Sequence, residues 1–410
     1  MKKTAPAVLL CLALLLLCGC GRQQGRCRLI LAADLHYIAP SLQDGGPAFL
    51  QVLEEGDGKL SLWSEELWAA FVRQVLSERP DAVLLLGDLS FNGALDSHRA
   101  LAEKLGALEA AGITVLVTTG NHDLDNPNAA AFSGESWRRV PSASAEDFER
   151  LYAAFGYEQA LSRDTDSLSY LYALNDDCRL LVLDLNTPHD PCGLSDKTLL
   201  WIEEQLRQAR QQGKLVLAAG HQNLFQQTLF RDGYVIRGAD ELLTLLQRYQ
   251  IPLYLSGHLH VQHSMTCDGV TEIAGSALSV WPCQFGLLRA ENGGLRYETQ
   301  KLRVSDWAKE QGRTEPELMD FDSTAAAVFD RRSQTQLSPL LADLTPESRA
   351  AVIRAFCRVN RAYFSGNLRS WAELDPDGVL VLLERRDPLY ALYLNSVVGD
   401  LGKDFTSWIG

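Results

Sequence analysis

The stretch "ITVLVTTGNHD", Ile113 to Asp123, decides how this chain is read. A short β-branched and leucine run ends in a glycine, and Asn121, His122 and Asp123 follow at once. An apolar run of that length reads as a buried strand. Asparagine and histidine straight after the glycine have little packing rationale.

The same plan recurs on both sides. "RLILAAD" runs into Asp34, with His36 two residues on, and "DAVLLLGD" ends at Asp88. "RLLVLDLN" ends at Asn186, "KLVLAAGH" at His221, and "IPLYLSGH" at His258, with His260 two residues later. Helical periodicity fills the gaps in "WSEELWAAFVRQVLSE", "DSHRALAEKLGALEAAG", "SDKTLLWIEEQLRQARQQG" and "ADELLTLLQRY". Apolar runs alternating with amphipathic helices predict an α/β fold with strands buried on both faces. Beyond His260, "VQHSMTC", "GVTEIAGSA", "QFGLLRAE" and "GLRYETQKL" read as hairpins, so antiparallel strands are expected late.

Two regions break the rhythm. Residues 125–167 form an insertion holding a helix at "SAEDFERLYAAFG". From about Val304 the strand signal stops, and three helical stretches predict a C-terminal helical region over 304–410. The domain read before the C-terminal region spans 28–303 and contains the insertion.

In open α/β sheets ligands bind beyond the carboxyl ends of the strands. Asp34, His36, Asp88, Asn121, His122, His221, His258 and His260 all follow apolar runs, so they are expected along one sheet edge. Five of the eight histidines belong to this set. Each motif alone is weak; the set in this order is specific.

From about Leu29 to Leu302, the five blocks resemble the calcineurin-like metallophosphoesterase family. The resemblance implies a four-layer α/β/β/α sandwich and two divalent metal ions at the strand ends. It implies Asp34, His36 and His260 on the first metal, Asn121, His221 and His258 on the second, and Asp88 bridging both. It places His122 just off the metals, facing the substrate. The task expected of His122 is catalytic, to protonate the leaving oxygen or neutralise the transition state, with Asp123 or another carboxylate orienting it. The residue types make sense independently. Carboxylate and imidazole suit manganese, iron or zinc, and a shared carboxylate lets two cations sit about 3.5–4 Å apart. Such a pair lowers the pKa of a shared water toward about 7, giving a bridging hydroxide at neutral pH.

The implied function is hydrolysis of a small phosphate ester, with phosphodiesters, including cyclic nucleotides, favoured. A phosphomonoesterase or nucleotidase is the alternative. A metal-binding scaffold without turnover is the non-enzyme reading, which the complete ligand set disfavours. A net charge of −14 argues against long nucleic acid as a partner.

Several residues carry weaker readings. Asn92 either approaches a phosphate or forms a turn with Gly93. Trp137, Arg138 and Arg139 either wall a substrate pocket or open a solvated helix. His189 is read as a loop histidine near the same edge, His263 as a strand start, and His98 as a surface residue. The leader "MKKTAPAVLLCLALLLLCGC" has a basic start, a short apolar run and a lipobox-like "LCGC". It predicts a signal peptide over 1–19, lipidation at Cys20, a tether over 20–27 and anchoring to the outer face of the cell membrane; an ordinary cleaved signal and an uncleaved anchor are the other readings. Exported location permits disulfides, with Cys267–Cys283 and Cys178–Cys192 as possible meetings; buried free thiols are the alternative.

Overall fold

The computed structural model describes residues 27–187, 191–291 and 294–410. The leader, Cys20, most of the tether and His189 lie outside the described residues. No helix among the described residues is long and apolar enough to cross a membrane.

The strands in chain order are β1 (Cys27–Ala32), β2 (Ala82–Leu86), β3 (Thr114–Thr118), β4 (Ala130–Ser133), β5 (Ser136–Arg139), β6 (Ser162–Arg163), β7 (Tyr170–Ala173), β8 (Cys178–Leu183), β9 (Leu215–Gly220), β10 (Leu253–Ser256), β11 (His263–Cys267), β12 (Val270–Ala274), β13 (Gln284–Glu291), β14 (Gly294–Lys301) and β15 (Ser407–Ile409). One sheet has the order β15-β14-β13-β1-β2-β3 and the other β11-β12-β10-β9-β8-β7-β6. The centres are parallel, β1 to β2 to β3 and β8 to β9 to β10, while β13 runs antiparallel to β1. The site motifs therefore leave the ends of two sheets, not one edge of a single sheet.

The first six helices are α1 (Pro47–Glu55), α2 (Ser64–Glu78), α3 (Leu95–Ala110), α4 (Ala145–Leu151), α5 (Asp196–Gln211) and α6 (Ala239–Arg248). Successive strand residues point to opposite faces, and the second sheet uses both. Leu180, Val182, Leu217 and Ala219 face the core shared with the first sheet. Leu181, Leu183, Val216 and Ala218 pack instead on Ile202 and Leu206 of α5 and Leu242 and Leu246 of α6. Phe71 of α2 and Leu101 and Leu105 of α3 join the shared core from the far side of the first sheet. The result is four layers, helices outside two sheets. Burial of each such leucine contributes roughly 1.5–3 kcal/mol, so the sheets are a rigid base for the loops at their ends.

The chain ends in α7 (Val304–Glu310), α8 (Pro316–Met319), α9 (Phe321–Leu340), α10 (Pro346–Phe364), α11 (Trp371–Leu374), α12 (Val381–Glu384) and α13 (Pro388–Gly399). Their core holds Leu337, Val352, Phe356, Val359 and Leu394, with Val261 inside it and Leu259 against it. Contrary to the strand signal stopping at Val304, β15 returns to pair with β14. Three residues, alternately exposed, carry too little pattern to announce a strand.

Residues 136–139 are a strand, not a helix start: β4 and β5 form a separate hairpin. Its tip is tied to the start of α1. Asp44 accepts the Gly134 amide at 2.8 Å and the Gly46 amide at 2.9 Å, and Ala48 donates to the Gly134 carbonyl at 3.0 Å. The Gly134 and then the Gly46 amide hold the Asp44 carboxyl below its usual range. A carboxyl depressed by folding favours the tied form above the ordinary Asp range and loses that contribution as pH falls through its folded value. Hydrogen exchange at Gly46 and Gly134 should thus be slow at pH 6 and lose its protection below about pH 4. Unchanged protection at low pH would show that Asp44 does not hold the hairpin.

The six cysteines of the described residues are free, so neither expected meeting forms in this structure.

Candidate metal centre

Each expected ligand sits just past a strand. Asp34 and His36 follow β1, Asp88 follows β2, Asn121 follows β3, His221 follows β9, and His258 and His260 follow β10. Five of them turn on left-handed backbone: Asp34 (φ 54°), His36 (42°), Asp88 (48°), His258 (69°) and His260 (60°). For a residue with a Cβ this conformation costs about 1–2 kcal/mol. In both "DLH" and "HLH" the outer residues take it, while the middle leucine packs into apolar core: Leu35 with the sheets, Leu259 with the C-terminal helices. The leucines anchor the loops and the strained residues aim inward. Gly120 lets the third loop close over Asp88, since a Cβ there would overlap the Asp88 backbone nitrogen.

Two clusters result, Asp34–His36–Asp88–His260 and Asp88–His221–His258, and they share Asp88. In each, the potential ligand atoms lie within 4.8 Å of one another. His260 Nε2 is 3.4 Å from Asp34 Oδ1 and 3.2 Å from His36 Nε2. Asp88 Oδ2 is 3.7 Å from His36 Nε2, and its Oδ1 is 3.4 Å from His221 Nε2. Asn121 Oδ1 stands 3.1 Å from His221 Nε2, which brings it to the second cluster.

The second ring nitrogens fix which atoms are free. His221 Nδ1 donates to the Leu86 carbonyl at 2.7 Å, so Nε2 is the ring nitrogen that faces the cluster and would offer its lone pair to an ion once the ring is neutral. His258 Nε2 donates to the Gly233 carbonyl at 3.0 Å, leaving Nδ1 as its lone pair. His260 turns Nδ1 toward Asp57 Oδ2, 3.5 Å away.

The electrostatics of the clustered donors suit a divalent cation. Asp34 is fully buried, and its Oδ1 has no hydrogen-bond partner. Burial disfavours a charged His221, yet the Asp88 charge outweighs it and lifts His221 to about 9. Burial and then the charge on His221 push His258 down to about 4. Packed acids and imidazoles of opposed protonation are what a divalent ion would resolve, and these donors fit one.

His122 lies beside the clusters, half buried, with Nε2 3.9 Å from Asp88 Oδ2. Its Nδ1 is 3.0 Å from the Phe91 carbonyl, which orients the ring. Asp123 does not have that task. It is fully buried and accepts the Leu89, Ser90 and Gly120 amides at 2.9–3.1 Å, so it ties the second motif loop to the third.

The other candidates divide. His98 is not a surface residue: it is fully buried, 3.0 Å from the Tyr152 hydroxyl and 3.1 Å from the Asp123 carbonyl. Its helix position gave no warning, because the Tyr152 that covers it comes from the distant insertion. His263 starts β11 and meets Gln227 at 2.8 Å and Asp400 at 3.1 Å, away from the clusters. Asn92 uses its amide to hold the insertion, donating to the Asn128 and Ala130 carbonyls. A cavity of about 480 Å³ opens beside His122, lined among others by Asp57, Lys59, Phe91, Asn92 and Trp137. Arg139 lines it too. Asp57 and Lys59, in "GDGK", carry no motif in the sequence.

The calcineurin-like phosphoesterase model matches residues 27–262, and that of the C-terminal domain of cyclic nucleotide phosphodiesterase matches 303–404. A probable cyclic nucleotide phosphodiesterase of Ruthia magnifica subsp. Calyptogena magnifica is 36% identical over 62 residues, 15% of this chain and 25% of the relative. The chain thus matches about a quarter of that relative's length. A dimetal phosphatase from Danio rerio aligns at TM-score 0.49 and 17% identity, covering 67% of this chain and 96% of that one. GAP50 of Plasmodium aligns at TM-score 0.41 and 14% identity, covering 68% and 88%. The first match spans more than half of the sequence and takes in the loops bearing Asp34, Asp88, Asn121, His221 and His258–His260, and on it the chain belongs to the calcineurin-like phosphoesterase family.

Proposed function

We propose that the chain hydrolyses phosphodiesters, cyclic nucleotides among them, with two divalent ions held at the paired clusters. The observation that carries this reading is Asp88, one buried carboxylate common to both clusters. Asp34, His36, Asp88 and His260 would hold one ion, and Asp88, Asn121, His221 and His258 the other. Bound there, such ions would activate a water and offset charge on phosphoryl oxygens. The chain's own residues do the rest. His122 holds a proton at Nε2 for the leaving oxygen, with its Nδ1 fixed by the Phe91 carbonyl. The cavity beside it accepts an organic arm of the ester. The C-terminal match and the relative's name support a cyclic nucleotide as that ester.

The test strips the full chain of metal and assays bis(p-nitrophenyl) phosphate, p-nitrophenyl phosphate and 3′,5′-cyclic AMP, with and without Mn²⁺. Metal-dependent cleavage of the diesters is expected. Cleavage of the monoester alone would replace this reading with a phosphatase, and bound metal without turnover of any would leave a binding protein.

A further inference from the structure

One charged group beside the clusters has no part in that scheme. Lys59 follows α1 in the turn after Gly58, and its side chain is only 11% exposed. Its ammonium is 3.3 Å from Asp57 Oδ2 and 6.0 Å from the centre of the Phe91 ring. The same Asp57 oxygen faces His260 Nδ1 at 3.5 Å. Lys59 also lines the cavity together with Asn92 and His122.

A fixed cation on the rim of a site that collects cations works against metal binding, because like charges repel more strongly away from water. An ammonium has three donors, and Asp57 takes one. That leaves the others for an acceptor in the cavity that Lys59 lines. An anion lying between Lys59 and the clusters offsets the repulsion.

We propose that Lys59 holds a non-bridging oxygen of the scissile phosphoryl group from the cavity side. This rests on the phosphodiesterase reading and adds a protein cation to the charge that meets the transition state. Asp57 keeps the ammonium aimed. The competing role is structural: Lys59 would only neutralise Asp57 and so set His260 as a metal ligand.

The two roles separate in Lys59→Met and Lys59→Arg of the full, Mn²⁺-loaded chain. Three quantities are read: kcat/KM on bis(p-nitrophenyl) phosphate, calorimetric affinity for inorganic phosphate, and manganese per chain. Lys59→Met should lower kcat/KM about 10²-fold, as loss of one preorganised donor does. It should weaken phosphate binding at least about tenfold, the scale of one lost charge-assisted hydrogen bond, and leave the manganese content unchanged. Lys59→Arg should recover most of both losses. Unchanged phosphate affinity in Lys59→Met would overturn the proposal. Manganese loss in step with activity would do the same and assign the structural role. If the unaltered chain cleaves no diester, the functional reading fails by itself, while phosphate affinity still decides whether Lys59 holds the anion.

Discussion

Replacing Asp88 with asparagine should remove metal and turnover together. The carboxylate turns one oxygen to each cluster, Oδ2 toward His36 at 3.7 Å and Oδ1 toward His221 at 3.4 Å. An amide keeps one oxygen and puts a donor in the other place, where it would face an imidazole lone pair or a cation. It also removes the negative charge that the shared residue offers two dications. The loop should survive, since Asp88 Oδ1 accepts the His122 amide at 2.8 Å and the amide oxygen can do the same. Manganese content below half of the unaltered chain is expected, with kcat/KM down about 10³-fold or more, several kcal/mol of lost charge stabilisation. Metal analysis and a melting curve on one preparation check this. A folded Asp88→Asn chain that kept its metal and its rate would mean that the two clusters do not act through a common ligand.

His122→Ala should separate what Asp88→Asn merges. His122 belongs to neither cluster, so manganese content should not change. A positioned proton donor contributes about 10²–10⁴-fold, and kcat should fall by that factor on an ester with a poor leaving group. On a p-nitrophenyl ester the loss should be smaller, because p-nitrophenolate departs with little help. The measured quantity is the ratio of the two losses. Equal losses would point to a role in holding the phosphoryl group, and full turnover with both esters would remove His122 from the reaction.

Much of this site was legible because the physics that writes it is local. Buried parallel strands need continuous apolar runs, and a ligand at a strand end must follow the run directly, so Asp34, Asp88, Asn121, His221 and His258 announce themselves. The four layers follow from the same runs and the helices between them. What escaped was set by distant partners. The left-handed turns at both ends of "DLH" and "HLH" depend on where Leu35 and Leu259 find apolar neighbours. Asp123 reads as a partner for the adjacent His122, but three amides from two other turns claim it. His98 looks exposed on a helix until Tyr152 covers it. Asp57 and Lys59 lie in a glycine-flanked turn with no pattern, and only the folded chain brings them to His260.

The segment after His260 is pinned from far along the chain. Gln262 donates to the Phe364 carbonyl at 3.1 Å through its backbone and to the Phe405 carbonyl at 3.0 Å through its side chain, and His263 meets Asp400. The candidate metal ligands span residues 34 to 260, yet the loop carrying the last of them is held by residues 364 to 405. A growing chain therefore has every ligand well before it has the clamp.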